Sequence, residues 1–85
     1  MTQDDIVERG IQAEAYLNDT AFMSFFQELQ SLYMQNIVNT APENWKERES
    51  LYKQFHAVTD VIGVMQSYVS AKDQIKAAQE IQDTD

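Results

Sequence analysis

The only histidine of this 85-residue chain, His56, has Tyr52 four residues before it and Asp60 four residues after it. On a helix that spacing stacks the three side chains on one face, and a carboxylate beside an imidazole is the pairing that orients a general base. The chemistry stops there, because no motif places a serine or other nucleophile to use such a base. His56 therefore reads as structural or merely exposed. The 14 carboxylates are plentiful, yet no Glu-x-x-His pair suggests a di-metal bundle site, and no alternating Asp/Asn loop with glycine suggests calcium. Glycine occurs only at positions 10 and 63, which excludes a phosphate-cradling loop. The absence of cysteine removes disulfides, thiolate metal sites and thiol nucleophiles together, and fits a reducing compartment. The reading assigns no catalytic, cofactor-binding or metal-ligating residue, and the expectation is a protein that is not an enzyme.

Charge argues against a nucleic-acid binder. Six basic against 14 acidic residues leave a net charge of −8, and a phosphate backbone repels that average surface. Lys46, Arg48 and Lys53 are interleaved with Glu43, Glu47 and Glu49, the pattern of a solvated, ion-pair-laced helix start. Hydrophobic residues at 44% and aromatics at 11% are too abundant for a disordered chain. The opening Met1-Thr2-Gln3-Asp4-Asp5 is acidic and unlike a signal or transit peptide. No run reaches the 18 or so apolar residues of a membrane span. The expectation is a soluble protein, cytoplasmic in a host cell or associated with a virion.

The elements that must position any functional face are all helical. The sequence predicts a single domain over 1–85, with helices at about 3–17, 19–38 and 41–81 and a frayed end over 82–85. Thr2 with Asp5 forms the first N-terminal capping pattern, and Ile6, Val7, Ile11, Ala15 and Leu17 supply a modest apolar stripe interrupted by Gly10. Asn18-Asp19-Thr20 reads as a tight connection, and with Asn18 as the cap, Leu17 and Phe22 would form a hydrophobic staple. In the second helix Phe22, Phe25, Phe26, Leu29, Leu32, Tyr33 and Ile37 step by three and four. Ser24, Gln27, Gln30, Ser31, Gln35 and Asn36 are polar but uncharged, and Glu28 is the only charge from Thr20 to Thr40. That neutrality is either chance composition or a second contact face.

Thr40-Ala41-Pro42-Glu43 matches a T-x-x-E capping box with proline in the first turn, so the third helix is expected to start there. Leu51, Phe55, Val58, Ile62, Met65 and Val69 alternate steps of four and three, a seam of nearly three heptads. Lys72 and Lys76 would be its next members, so the seam is expected to end. Tyr68, Ala71, Ile75 and Ala78 then form a stripe rotated around the helix, as happens where a partner surface changes. Val61 and Val64 widen the apolar face around Gly63, itself a candidate for close helix approach or a bend. The expected fold is all-α, the second and third helices forming an antiparallel hairpin in which Phe22, Phe26, Leu29 and Tyr33 face Leu51, Phe55, Val58 and Ile62, with the short first helix covering one end.

Forty residues of helix make a rod of roughly 60 Å, which a compact chain of this length cannot swallow. The surplus of Val64 to Ile81 points to self-association, a homodimer before a larger ring, or alternatively to the first helix folding back along it. Trp45, Val64, Tyr68, Ala71, Ile75 and Ala78 are the candidate partner interface.

The layout Arg9-Gly10, Ala13 to Ala15, Leu17-Asn18-Asp19-Thr20-Ala21-Phe22, Thr40-Ala41-Pro42 and Arg48-Glu49-Ser50-Leu51-Tyr52 resembles small helical proteins encoded by tailed bacteriophages, in which a helix-turn-helix pair precedes a long charged helix. The resemblance implies a phage-related origin and carries over no binding or catalytic residue. It raises a virion, packaging or host-interaction role above an enzymatic one. Three functions follow as expectations. The first is an oligomerisation or interaction protein that packs helix faces on itself or on a protein partner. The second is an acidic nucleic-acid mimic, with Asp4, Asp5, Glu8, Glu14 and Asp19 starting a carboxylate track. The third is a small DNA-packaging subunit.

Overall fold

The computed structural model describes residues 1–83. Among them there are three helices and no strand: α1 (Gln3–Leu17), α2 (Thr20–Asn39) and α3 (Trp45–Asp83). The fraying expected at Thr84 and Asp85 lies outside the described residues. At Thr2 the capping box is closed on both sides: the Asp5 amide donates to Thr2 Oγ1 and the Thr2 amide to Asp5 Oδ2, each at 3.2 Å. This satisfies two of the N–H groups that a helix start leaves without partners.

The α1–α2 break is two residues long. Asn18 stays near helical geometry (φ −88°, ψ −6°) and its amide donates to the Glu14 carbonyl at 3.0 Å. Asp19 swings to an extended conformation and caps α2, its Oδ1 accepting from the Phe22 amide at 3.0 Å. The cap is thus Asp19 rather than Asn18, and the Leu17–Phe22 staple is replaced by a ring contact between Tyr16 and Phe22, centroids 5.0 Å apart.

The second connection also departs from expectation. Thr40 does not cap α3; its hydroxyl donates back to the Asn36 carbonyl at 2.6 Å and closes the end of α2. Ala41 precedes a proline, a position biased towards extended backbone, and the chain makes a turn in which the Asn44 amide donates to the Ala41 carbonyl at 2.9 Å. Pro42 occupies the second position of that turn, where its fixed φ is favoured. The first bond into α3 runs from the Arg48 amide to the Asn44 carbonyl, so the helix starts at Trp45, several residues later than the T-x-x-E pattern implies.

From Trp45, α3 is continuous through Gly63 for 39 residues, about 58 Å of helix at 1.5 Å per residue. The molecule measures 65 × 24 × 20 Å, one helix long and two helices thick. Antiparallel to α3, α2 covers its first half, with Leu51, Phe55, Val58 and Ile62 half-buried there. Opposite them lie Phe22, Phe26, Tyr33 and Ile37, and Gln30, which donates to Thr59 Oγ1 at 3.4 Å. Gln30 takes the inward place expected for Leu29, which is displaced to the edge and counts among the exposed apolar residues.

α1 does not sit at one end. It runs on from α2 in the same direction, lying along the C-terminal half of α3, so α1 and α2 form one broken arm of a hairpin and α3 the other. The alternative in which the first helix folds back along the surplus segment is the observed one. Gly10 is buried at this seam: a Cβ added there would lie 2.7 Å from the Tyr68 carbonyl oxygen and collide with the Lys72 side chain. The close helix approach expected at Gly63 occurs instead at Gly10, whereas Gly63 faces open space.

Lys72 continues the seam rather than ending it. It is 5% exposed, its stem packed at Gly10 and its ammonium bonded to Glu14 Oε2, with Asp73 Oδ1 at 3.3 Å. A lysine can hold an inward position because its methylenes are apolar and only the tip needs water or a counter-charge. The hydrogen bond that the ammonium donates to Glu14 holds its pKa above the ordinary value of 10.5, with burial acting in the opposite sense.

Two tests follow. Gly63→Ala, in open helix, is expected to stabilise the protein by about 1 kcal/mol; Gly10→Ala, despite the same gain in helix propensity, is expected to destabilise it by roughly 1–3 kcal/mol through overpacking. Urea unfolding of both variants measures the opposite signs. For Lys72 the raised pKa means its contribution is complete below pH 10.5 and lost as pH climbs through the folded-state value. The difference in unfolding midpoint between wild type and Lys72→Met should be flat through neutral pH and turn against the wild type only above about pH 10.5.

Candidate interaction surface

A helix pair two layers thick can bury only the stripe where the layers meet. Accordingly Ala13 is the one apolar side chain classed as buried among the described residues, and none of the large side chains is fully enclosed. The accessible surface is 6420 Å², against about 5,200 Å² for a typical compact protein of 9.8 kDa. The radius of gyration, 18.2 Å, likewise exceeds the roughly 12 Å of a compact chain this long. What should be core is therefore partly surface.

The exposed apolar side chains gather on two edges of the seam. The Gln30–Thr59 bond marks one edge. Towards the hairpin turn on that side, Ile37, Trp45, Arg48, Glu49 and Tyr52 line a shallow groove. Trp45 and Tyr52 are each 54% exposed, the Lys46 ammonium lies 5.5 Å from the centre of the indole, and the Tyr52 ring meets His56 edge-on at 4.5 Å. His56, the one residue whose neighbours suggest a base, is thus an exposed ring in an edge-to-face aromatic pair.

The other edge carries fewer charges. At 100° per residue, Phe25, Leu29 and Leu32 lie roughly 100–160° around α2 from Gln30, and Val61 lies a similar angle around α3 from Thr59. Phe25 is 69% exposed and Leu32 53%. One turn back from Phe25 and Phe26, Phe22 enters an apolar groove of about 380 Å³ shared with Ala13, Tyr16, Val61, Val64 and Met65. Its wall towards α1 is polar, with Arg9 placed 6.0 Å from the centre of the Tyr68 ring.

The six residues expected at a partner interface are split by this arrangement. Trp45, Val64 and Ala78 are exposed, while Tyr68, Ala71 and Ile75 are half-buried on the segment of α3 that α1 accompanies. The rotated stripe does mark a change of partner surface, and the new partner is α1. Phe25, Leu29, Leu32 and Tyr16 were not singled out as surface. The signal lay in the spread of Phe22, Phe25, Phe26, Leu29, Leu32, Tyr33 and Ile37, which by themselves cover an arc of roughly 140°, wider than the stripe of about 100° that faces one core, with Met34 and Val38 lying beyond it.

Phe25→Ser and Leu32→Ser should each change the stability of the isolated chain by no more than about 0.5 kcal/mol. Phe26→Ala, on the inward face, should cost roughly 2–3 kcal/mol. Thermal unfolding at sub-micromolar protein separates the two edges of the stripe.

Among the described residues no helix is long and apolar enough to cross a membrane, and no group of three or more His, Cys, Asp or Glu side chains is placed to hold a metal ion. Comparison with protein-family models, curated proteins and solved structures returned no match.

Proposed function

We propose that this chain is a non-enzymatic interaction protein that works by packing an apolar helix face against itself or a protein partner. A phage accessory or virion-associated role, in the host cytoplasm or the particle, is the setting the sequence resemblance suggests. The observation that carries the reading is the open two-layer architecture, with Tyr16, Phe25, Leu32, Val61 and Val64 each about half or more exposed. A contiguous exposed apolar patch of this kind marks an association site.

The acidic-mimic alternative draws less support. Of the five carboxylates that could begin a phosphate-like track, Asp5 and Asp19 are engaged as helix caps and Glu14 is paired with Lys72. A DNA-packaging role lacks a basic recognition helix and would need contacts organised by a ring.

Affinity capture with the full chain as bait, at about 0.1 and 0.5 M salt, discriminates among these. Apolar packing predicts a protein partner, or the bait's own copy, that is retained at high salt and lost with a Phe25→Asp/Leu32→Asp bait. A nuclease or polymerase that is released by salt, screened over about 8 Å at physiological ionic strength, and indifferent to the double substitution would support mimicry instead.

A further inference from the structure

Resting on the proposal that the apolar face is an association surface, we infer that its occupant is a second copy of this chain, seated across α2 by a two-fold axis near Leu29. Three observations carry this. The first is area. The chain exposes about 1,200 Å² more than a typical compact protein of its mass, and a standard interface buries about 800 Å² on each partner. The excess is enough for one such interface.

The second is charge. Each copy carries a net charge of −8, so most pairings of two copies would set carboxylates against carboxylates. α2 is the exception. Between Thr20 and Thr40 it holds one charge, Glu28, which stands roughly 40–60° around the helix from Leu32 and Phe25 at 100° per residue, at the rim of the patch. Of its other exposed residues, Asn36 and Gln35 flank Phe25, Leu29 and Leu32, whereas Gln27, Ser31, Met34 and Val38 lie about 100° or more around the helix from them. Neutral amides and hydroxyls around apolar anchors form hydrogen bonds across an interface without desolvating a charge. An uncharged outer face has no such use on a helix surrounded by water.

The third is self-complementarity. A two-fold contact pairs each residue with its mirror position. Antiparallel α2 helices related by a two-fold axis between Glu28 and Leu29 set Phe25 of each copy against Leu32 of the other. The two Leu29 side chains flank the axis, and the two Glu28 carboxylates, the one like-charge pair of the contact, stand level with it at the solvated rim. The spacing 25, 29, 32 is the four-then-three step of a helix–helix seam. Stacking the two hairpins over this seam turns each two-layer half into a four-helix section, the arrangement that encloses an apolar stripe on every helix. The groove of Phe22, Val61 and Val64 continues the same edge and closes beside it.

The test uses the purified full chain. Sedimentation equilibrium from about 1 to 200 µM should give a dimer, and Phe25→Asp/Leu32→Asp should shift it to monomer by at least a hundredfold in dissociation constant with unchanged helical circular dichroism. Because the chain lacks cysteine, Leu29→Cys should form a disulfide-linked dimer under mild oxidation, whereas Gly63→Cys, outside the face, should not. A monomer throughout the concentration range overturns the inference; if such a monomer still captures a partner through Phe25 and Leu32, the interaction reading survives it. A dimer indifferent to the double substitution and not cross-linked at position 29 also overturns it, leaving self-association through another face.

Discussion

The close approach of α1 to α3 at Gly10 governs the shape of this molecule. A helix backbone comes near enough to its neighbour to exclude even a methyl group, and the Lys72 stem fills the space alongside. The Lys72–Glu14 pair then sits at the margin of that contact, where the carboxylate keeps partial access to water (46% exposed) while the ammonium side chain does not (6%). Such a pair is weak support for stability in itself, because desolvating the charges offsets much of their attraction. Its value lies in register: Asp73 accompanies Lys72 along α3 in any alignment, and Glu14 is the carboxylate that ties the ammonium to one position of α1. Without that alignment the second half of α3 would be a lone rod.

The same contact dictates how α3 distributes its faces. Residues directed at α2 and residues directed at α1 are centred roughly 90° apart around α3 at 100° per residue. The drift of about 20° per heptad expected of a straight helix against a 3.5 repeat accounts for less than half of that over two heptads. The remainder is a real change of direction, made possible by the two-residue break at Asn18 and Asp19. α1 therefore approaches α3 from a side that α2 does not use, and the central groove opens between them, where Tyr16, Phe22, Val61 and Val64 meet.

Helix identity, the hairpin of α2 and α3, and the Thr2 cap were legible because each rests on a local pattern: apolar spacing, a capping pair, a short connection. The start of α3 was not, because two local rules compete at Thr40-Ala41-Pro42-Glu43 and the restriction on the residue before proline prevails over the capping box. The role of Lys72 was hidden by its type, since a lysine in an apolar register signals the end of a seam unless its counter-charge is known, and Glu14 lies 58 residues away in sequence. The two glycines carried identical local information, and only the tertiary arrangement shows which one a neighbour crowds. As for the surface, the neutrality of α2 was visible from composition, but a small rotation of the helix, roughly 30° at 100° per residue, keeps Phe22, Phe26 and Tyr33 inward while bringing Gln30 in and carrying Leu29 to the edge.

The order of partners along the chain bears on how it is assembled. The contacts of α2 with α3 close over about half the sequence separation of the α1–α3 pair, 29 residues for Gln30 with Thr59 against 58 for Glu14 with Lys72. Loop closure costs more entropy as the loop lengthens, so the α2–α3 hairpin is the natural nucleus and α1 docks afterwards. During synthesis α1 emerges first, yet its partner segment, the second half of α3, is made after α2 and the first half of α3. The first helix to leave the ribosome is thus the last to find its place, its apolar stripe in water until residue 72 and its neighbours have emerged.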